Sequence, residues 1–117
     1  MFDFEKLDVY QKSKEFNRQV YKYLNENKVI DAATRNQLRR ASLSIVLNIA
    51  EGSSRFSKAD RRNFFVISRG SVFECVAVFD ILKDEGLLPI QQFQDFYTRA
   101  EELSKILFAL IKNLEAK

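Results

Sequence analysis

Histidine and tryptophan are absent from this 117-residue chain, and cysteine, methionine and proline each occur once. Without histidine the chain has no Ser–His or Cys–His catalytic pair and no histidine-ligated metal site. A single cysteine, Cys75, cannot form an internal disulfide, which fits a reducing cytoplasm. Its apolar neighbours predict a buried thiol rather than a reactive one.

Glycine is also scarce, and three glycines with one proline leave little room for the turns of an all-β fold. No run of about 18 apolar residues occurs, so no membrane span is expected. The N-terminus is amphipathic and carries acidic residues early, which predicts no secretion signal and a cytoplasmic protein. The phosphate-binding patterns GxxxxGK(S/T) and GxGxxG are missing, which excludes a conventional phosphate-binding loop.

What the chain does contain is helical periodicity. Hydrophobic residues make up 46% and charged residues 30%, an ordinary balance for one globular domain over residues 1–117. Apolar residues recur at helical spacing over about residues 3–25, 31–52 and 58–85 and after Pro89. Gly52 and Gly86 are interpreted as helix stops, where a left-handed glycine closes the helix. The short connections predict an all-α, antiparallel up-down-up-down four-helix bundle.

The second and third predicted helices carry apolar residues on two sides rather than one. A helix in a four-helix monomer needs a single apolar stripe, about 100° wide or somewhat more. The additional residues would form a patch larger than monomers usually expose, so we predict a homo-oligomer. Gly70 beside the second set would allow a neighbour to approach closely. The additional sets are Leu43, Leu47 and Ala50 on the second helix and Val66, Phe73 and Ala77 on the third.

Polar residues inside these apolar helices form a predicted structural polar seam, which consists of Asn48, Glu51, Gly70, Ser71 and Glu74. Buried carboxylates require partners, so we expect Asn48, Glu51 and Glu74 to be largely buried and hydrogen-bonded. At least one carboxylate should meet an arginine. Catalysis by Glu51 or Glu74 is a remote alternative, and we predict no enzyme, no cofactor and no metal site.

A basic segment follows the second predicted helix. Between Arg55 and Arg69, five basic residues stand against one acidic residue, Asp60. Cations bind phosphate, and the free N–H groups at a helix start also favour anions. Phe56 could add base stacking, as aromatic residues do in single-strand binders. The candidate nucleic-acid-binding residues are Arg55, Lys58, Arg61, Arg62 and Arg69.

The alternative interpretation of this segment is a solvated helix end. An antiparallel bundle brings Glu5, Asp8 and Glu115 to the same end, where they could pair with the arginines. Phe56 would then pack against the core. Both interpretations are compatible with the residue pattern alone.

Three segments, FEKLDVYQKS, RRASLSIVLNIAEGSSR and RGSVFE, strongly resemble one protein family over nearly the whole chain. It is the family of four-helix-bundle proteins encoded in intervening sequences of 23S rRNA genes. The chain departs from the family at Tyr10, where relatives often carry tryptophan. It also departs at Ser68 and Arg69, where relatives often have a small apolar pair. The family signature, NIAEG with a following arginine and then GSxxE, falls on Asn48, Ile49, Ala50, Glu51, Gly52 and Arg55, and on Gly70, Ser71 and Glu74.

The resemblance implies a bundle of long antiparallel helices that is often assembled as a homopentameric ring. The family is also similar to the accessory variability determinant of diversity-generating retroelements, which binds nucleic acid and a reverse transcriptase. No catalytic activity is implied. The leading hypothesis is therefore a non-enzymatic oligomeric adaptor that binds RNA or DNA. The alternative is a homo-oligomeric protein-binding scaffold in which the arginines stabilise the ring.

Overall fold

Residues 1–115 are described by the computed structural model, and they form one short 3-10 helix (Asp3–Lys6) followed by four α-helices. Consecutive α-helices pack side by side, and the first closes the bundle against the fourth. The predicted antiparallel four-helix bundle is thus confirmed. The predicted domain extends to residue 117, and residues 116–117 lie outside the described range. The α-helices are α1 (Asp8–Glu26), α2 (Ala32–Ser54), α3 (Lys58–Asp84) and α4 (Ile90–Asn113).

The first helix differs from its prediction because Leu7 is extended and separates the 3-10 helix from α1. The ring of Phe4 packs edge-on against Tyr10, with 4.8 Å between the ring centroids. This contact folds the N-terminal segment back onto the start of α1. No helix within residues 1–115 is long and apolar enough to cross a membrane.

A cluster of aromatic rings joins α1, α3 and α4 in the core. Phe79 and Phe96 stack with their centroids 4.3 Å apart, and Phe16 meets both rings edge-on. Such offset and edge-to-face pairs are each worth about 0.5–1.5 kcal/mol beyond the area that they bury. Tyr23 is also buried, and its hydroxyl donates a hydrogen bond to the carbonyl of Leu87 at 2.8 Å. Aromatic packing therefore stabilises the core, and the hydrogen bond from Tyr23 ties α1 to the α3–α4 connection.

The contact between α2 and α3 is close because small side chains line it. Ser68 Oγ donates to the carbonyl oxygen of Ile45 at 2.8 Å, and both residues are fully buried. A Cβ atom at Gly52 would stand only 2.9 Å from Cε1 of Phe65. The helix continues through Gly52 to Ser54, and Gly52 does not have a positive φ, so the prediction of a left-handed stop there is wrong. Gly52 serves helix packing rather than chain reversal.

The remaining helix ends follow local sequence signals. Ser57 Oγ accepts a hydrogen bond from the N–H of Asp60 and so caps α3, at the position predicted for a helix start. Gly86 has a φ of +75°, and the N–H of Leu87 reaches back to the carbonyl of Leu82 at 2.9 Å. This is the hydrogen-bond pattern of a glycine-terminated helix, so the predicted stop at Gly86 is confirmed.

One helix end is satisfied by a distant side chain instead. The last turn of α1 contains no basic residue. Arg35, from the first turn of α2, donates from Nη1 to the carbonyl of Leu24 at 2.7 Å and from Nη2 to the carbonyl of Asn27 at 2.8 Å. Since carbonyls at a helix C-terminus have no intrahelical partner and carry partial negative charge, the guanidinium stabilises this end.

Candidate nucleic-acid interface

The connection between α2 and α3 exposes an aromatic ring at its tip. The side chain of Phe56 is fully exposed, with a relative accessibility of 104%, so the alternative that it packs against the core is wrong. The N–H of Arg55 donates to the carbonyl of Gly52, and Arg61 Nε donates to the carbonyl of Arg55 at 2.9 Å. Both helices thus hold the backbone of the connection, while the ring of Phe56 extends into solvent.

Two further contacts position the guanidinium of Arg55. Its Nη2 atom lies 2.8 Å from Oε2 of Glu51, one helical turn earlier. Its central carbon lies 4.6 Å from the centroid of the Phe64 ring. Because both charged groups are exposed, the ion pair adds little to folding stability. The two contacts instead restrict where the positive charge is presented beside Phe56.

The five predicted basic residues fall into two groups. Arg55, Lys58 and Arg61 lie within five residues of Phe56, on the α2–α3 connection and the first turn of α3, and we call this set of four residues the basic turn. Lys58 is exposed and forms no ion pair with any residue from 1 to 115. Arg62 instead faces the C-terminal end of α4, and its Nη2 atom lies 3.7 Å from a carboxylate oxygen of Glu115, which follows that helix. The expected pairing with Glu115 is therefore confirmed for Arg62.

Arg69 lies two helical turns beyond the basic turn, on the side of α3 that faces α4. Its Nε atom donates to the carbonyl of Ser104 at 3.2 Å. Its guanidinium carbon lies 4.9 Å from the ring centroid of Phe73 and 5.3 Å from that of Phe108. Cation–π contacts and a backbone hydrogen bond hold this arginine in the α3–α4 groove. The structure therefore does not bring Arg69 together with the basic turn.

The expected pairing of arginines with Glu5 or Asp8 is not found within residues 1–115. Glu5 accepts a hydrogen bond from the N–H of Phe2 at 2.8 Å, which closes the 3-10 turn. Asp8 pairs with Lys12 at 3.8 Å along α1. Both carboxylates are thus engaged by their own segment of the chain.

The polar seam is less buried than predicted. Glu51 is exposed and pairs with Arg55, so the expected carboxylate–arginine contact is confirmed but the expected burial of Glu51 is wrong. Gly70 is exposed too, and apart from its chain neighbours and the backbone of its own helix no atom lies within 4 Å of a Cβ built on it. These two positions face outward because the close α2–α3 contact is formed by other residues, among them Ser68.

The remaining seam residues form a hydrogen-bonded row beside the α2–α3 contact. Asn48 is half-buried and donates to the carbonyl and to Oγ of Ser44, at 2.9 and 3.0 Å. Ser71 is buried, and its hydroxyl donates to Ser44 Oγ at 2.9 Å. Glu74 is half-buried and accepts a hydrogen bond from the side chain of Gln37 rather than from an arginine. The row thus forms one wall of an open depression of about 440 Å³.

The second apolar faces of α2 and α3 are confirmed. Leu43 and Leu47 expose 44% and 53% of their surface, and Phe73 exposes 56%. Each of these fractions is far from the near-zero values of the core, so about half of each side chain is left uncovered by the rest of residues 1–115. The predicted oligomer would cover them, and oligomerisation itself stays a prediction.

Cys75 lies on the core side of α3, next to Glu74. It is buried, and burial raises the pKa of its thiol to about 12, with a smaller contribution from the negative charge of Glu74. The predicted unreactive thiol agrees with this environment. Among residues 1–115, no three or more acidic or cysteine side chains come together as metal ligands.

The fold and the outward-facing basic turn define a small antiparallel four-helix-bundle protein with two uncovered apolar faces. A family model described as 23S rRNA-intervening sequence protein matches residues 5–109, and the chain belongs to this family. The resemblance inferred from the NIAEG and GSxxE segments is therefore confirmed.

The fold is shared with a solved relative. A crystal structure of a protein with unknown function from the S23 ribosomal protein family of Bacteroides thetaiotaomicron superposes with a TM-score of 0.82 at 26% sequence identity. The match covers 89% of this chain and 98% of that one. No curated protein matches the chain.

Proposed function

We propose that this protein is a non-enzymatic, homo-oligomeric adaptor that binds RNA or DNA through the basic turn. The observation that carries the proposal is an exposed aromatic ring on a constrained connection, with three cationic residues next to it in the sequence. The family's description, which refers to an intervening sequence of 23S rRNA, agrees with a role close to nucleic acid. A cytoplasmic location and a reverse transcriptase as partner belong to the same proposal and rest on the family resemblance.

Two cations of the basic turn, Lys58 and Arg61, are available to phosphate. Arg61 uses Nε for the carbonyl of Arg55, and its terminal nitrogens form no hydrogen bond within residues 1–115. Lys58 is exposed on the first turn of α3. Cations that neutralise phosphates release condensed counterions, so the affinity should fall steeply as the salt concentration rises.

An electrophoretic titration against structured RNA, single strands and duplex DNA at several salt concentrations tests this proposal. Replacing both Lys58 and Arg61 with alanine should weaken binding to every nucleic acid to a similar degree. It should also reduce the salt slope by about one for each phosphate contact that is lost. Helix content should be retained, because alanine is the best helix former.

The matched control removes two cations from the other end of the bundle. Lys22 and Lys28 are exposed near the α1–α2 connection, so their double alanine variant changes the net charge equally. It should bind nearly as the wild type does. Affinity that is insensitive to salt, or equal affinities for the two double variants, would refute phosphate binding by the basic turn.

The exposed apolar faces favour a second candidate function, a homo-oligomeric protein-binding scaffold. A contact between the α2 face of one copy and the α3 face of the next joins different surfaces, and such contacts close into a ring when the rotation permits.

Light scattering across a dilution series should give a mass well above the 13.7 kDa of one chain. Leu47→Glu or Phe73→Glu should dissociate the assembly. An oligomer without any nucleic-acid affinity would support the scaffold instead of the adaptor.

A further inference from the structure

Phe56 is the most exposed large apolar side chain within residues 1–115. A fully exposed phenyl ring contributes nothing to the core, and its apolar surface is unfavourable in water. The backbone on either side is nevertheless constrained, by the Arg61–Arg55 hydrogen bond and by the start of α3. The chain thus presents an aromatic ring at a defined position without using it for folding.

The charged residues near Phe56 in the sequence indicate which class of ligand could bind its ring. Arg55, Lys58 and Arg61 all lie within five residues of Phe56, and Asp60 is the one acidic residue in residues 55–69. A polyanion that also offers a flat apolar face complements this combination. Unpaired nucleotides have both properties, because each base has an aromatic face and each linkage carries a phosphate.

We infer that the basic turn binds single-stranded nucleic acid, with an unpaired base stacked on Phe56 and its flanking phosphates bound by Lys58 and Arg61. The inference rests on the proposed function and adds the class of nucleic acid. In a duplex each base face is covered by its neighbours, so a ring at the tip of a turn has no base to stack on. Unpaired bases in loops, bulges and ends are free to stack on aromatic side chains.

A second aromatic side chain at the same end of the bundle provides a matched comparison. Phe2 exposes 73% of its surface and borders a cavity together with Glu51 and Ser54 of α2. Its neighbours in the 3-10 helix include Asp3 and Glu5, which repel phosphate. Phe2 is therefore also exposed, although its ring stacks on that of Phe4 with 5.8 Å between the centroids, and its electrostatic surroundings disfavour a nucleic-acid strand.

The absence of tryptophan makes stacking directly measurable, since Phe56→Trp introduces a single fluorescent indole at the tip of the turn. This variant is titrated with a short oligothymidylate, with a long blunt-ended duplex that has no loop and with inorganic polyphosphate. Base stacking should quench the emission with oligothymidylate, whereas polyphosphate should bind without quenching. Oligothymidylate that binds without quenching, or equal quenching by duplex and single strand, would overturn the inference.

Phe56→Leu keeps an apolar side chain but removes the aromatic ring. Its affinity for oligothymidylate should fall by about fivefold to about 150-fold, the range observed when a stacking aromatic is removed. Phe2→Leu is the control and should bind as the wild type does. Because Phe56 is exposed, the circular dichroism and melting temperature of Phe56→Leu should match those of the wild type.

The outcomes separate this inference from the proposed function. If binding is salt-dependent but equal for duplex and single strand, and Phe56→Leu has no effect, the adaptor proposal stands and single-strand recognition fails. If no nucleic acid binds at all, both fail. If Phe56→Leu instead loses self-association in light scattering, the ring docks on protein and the inference is overturned.

Discussion

Gly52 on α2 lies against the ring of Phe65 on α3, so closely that a Cβ atom at position 52 would stand 2.9 Å from Cε1 and 3.1 Å from Cδ1 of that ring. Both residues are buried. The missing side chain allows the two helices to approach just before the chain turns at Arg55. The same contact therefore packs the bundle and sets the position from which the basic turn extends.

Gly52→Ala should destabilise the protein. Overpacking a tight contact typically costs about 1–3 kcal/mol, and the gain in helix propensity from glycine to alanine offsets about 1 kcal/mol of that. We expect a net loss of up to about 2 kcal/mol, measured as a lower midpoint in urea unfolding with an unchanged slope. A variant as stable as the wild type would show that Phe65 gives way without cost.

Gly70→Ala is the matched comparison on the neighbouring helix. Apart from its chain neighbours and the backbone of its own helix, nothing lies within 4 Å of a Cβ atom at this position, so helix propensity should dominate and stability should rise by about 0.5–1 kcal/mol. If a neighbouring copy approaches Gly70 in an oligomer, as the sequence suggests, the same substitution should weaken assembly on dilution. Urea unfolding and light scattering of one variant thus address packing and assembly separately.

The four helices could be predicted because their signals are local. Ser57, Gly86 and Pro89 each lie at a helix boundary, and the apolar spacing between these boundaries is helical. The role of Gly52 could not be predicted, since a glycine that ends a helix and one that packs against a ring look alike in sequence. Only the tertiary contact with Phe65 distinguishes them.

In the candidate site, too, contacts within one segment could be predicted from the sequence, whereas contacts between helices could not. The Glu51–Arg55 pair follows from a spacing of four residues, which places Arg55 about one helical turn after Glu51, directly beyond the end of α2. The divergence of Arg61 from Arg62 does not follow from spacing, because adjacent helical residues point about 100° apart and the docking of α4 decides which one is covered. The partnership of Gln37 with Glu74 is likewise set by how α2 packs on α3.

Arg35→Ala should destabilise the bundle although Arg35 is only partly buried and lies at one end of the bundle. The substitution leaves the carbonyls of Leu24 and Asn27 without their charged donor. Hydrogen bonds to charged groups contribute about 1.5–3 kcal/mol, so we expect a loss in that range from thermal or urea unfolding. Arg40→Ala removes an exposed arginine of the same helix and should change stability by less than about 0.5 kcal/mol. Equal effects of the two substitutions would contradict the capping role of Arg35.

Tyr23 should make the protein sensitive to alkaline pH. Burial raises the pKa of its phenol from the ordinary value of 10.0 to about 12, and the hydroxyl donates to the carbonyl of Leu87. A folded-state pKa above the unfolded value means that the contribution to stability is complete below pH 10. It is lost as the pH rises through the folded-state pKa near 12.

Tyr23→Phe tests this assignment. The variant loses the hydrogen bond to Leu87, so at neutral pH it should be about 0.5–1.5 kcal/mol less stable than the wild type. Above pH 10 the wild type loses stability through Tyr23 and the variant does not, so the difference should narrow. Urea unfolding at a series of pH values measures the gap, and Tyr21→Phe provides an exposed tyrosine control. A gap that stays constant up to pH 12 would refute the role of the Tyr23 phenol.

Cys75 should be labelled only when the protein opens. Burial, assisted by the charge of Glu74, raises the pKa of its thiol to about 12, so almost no thiolate is present at mildly alkaline pH. Because the thiolate is the reactive form, a disulfide reagent such as DTNB should label the native protein slowly and the urea-unfolded protein at once. Gly52→Ala should accelerate labelling, since lower stability increases the population of open molecules. Rapid labelling of the native wild type, or equal rates for the two proteins, would contradict a thiol protected by the α2–α3 packing.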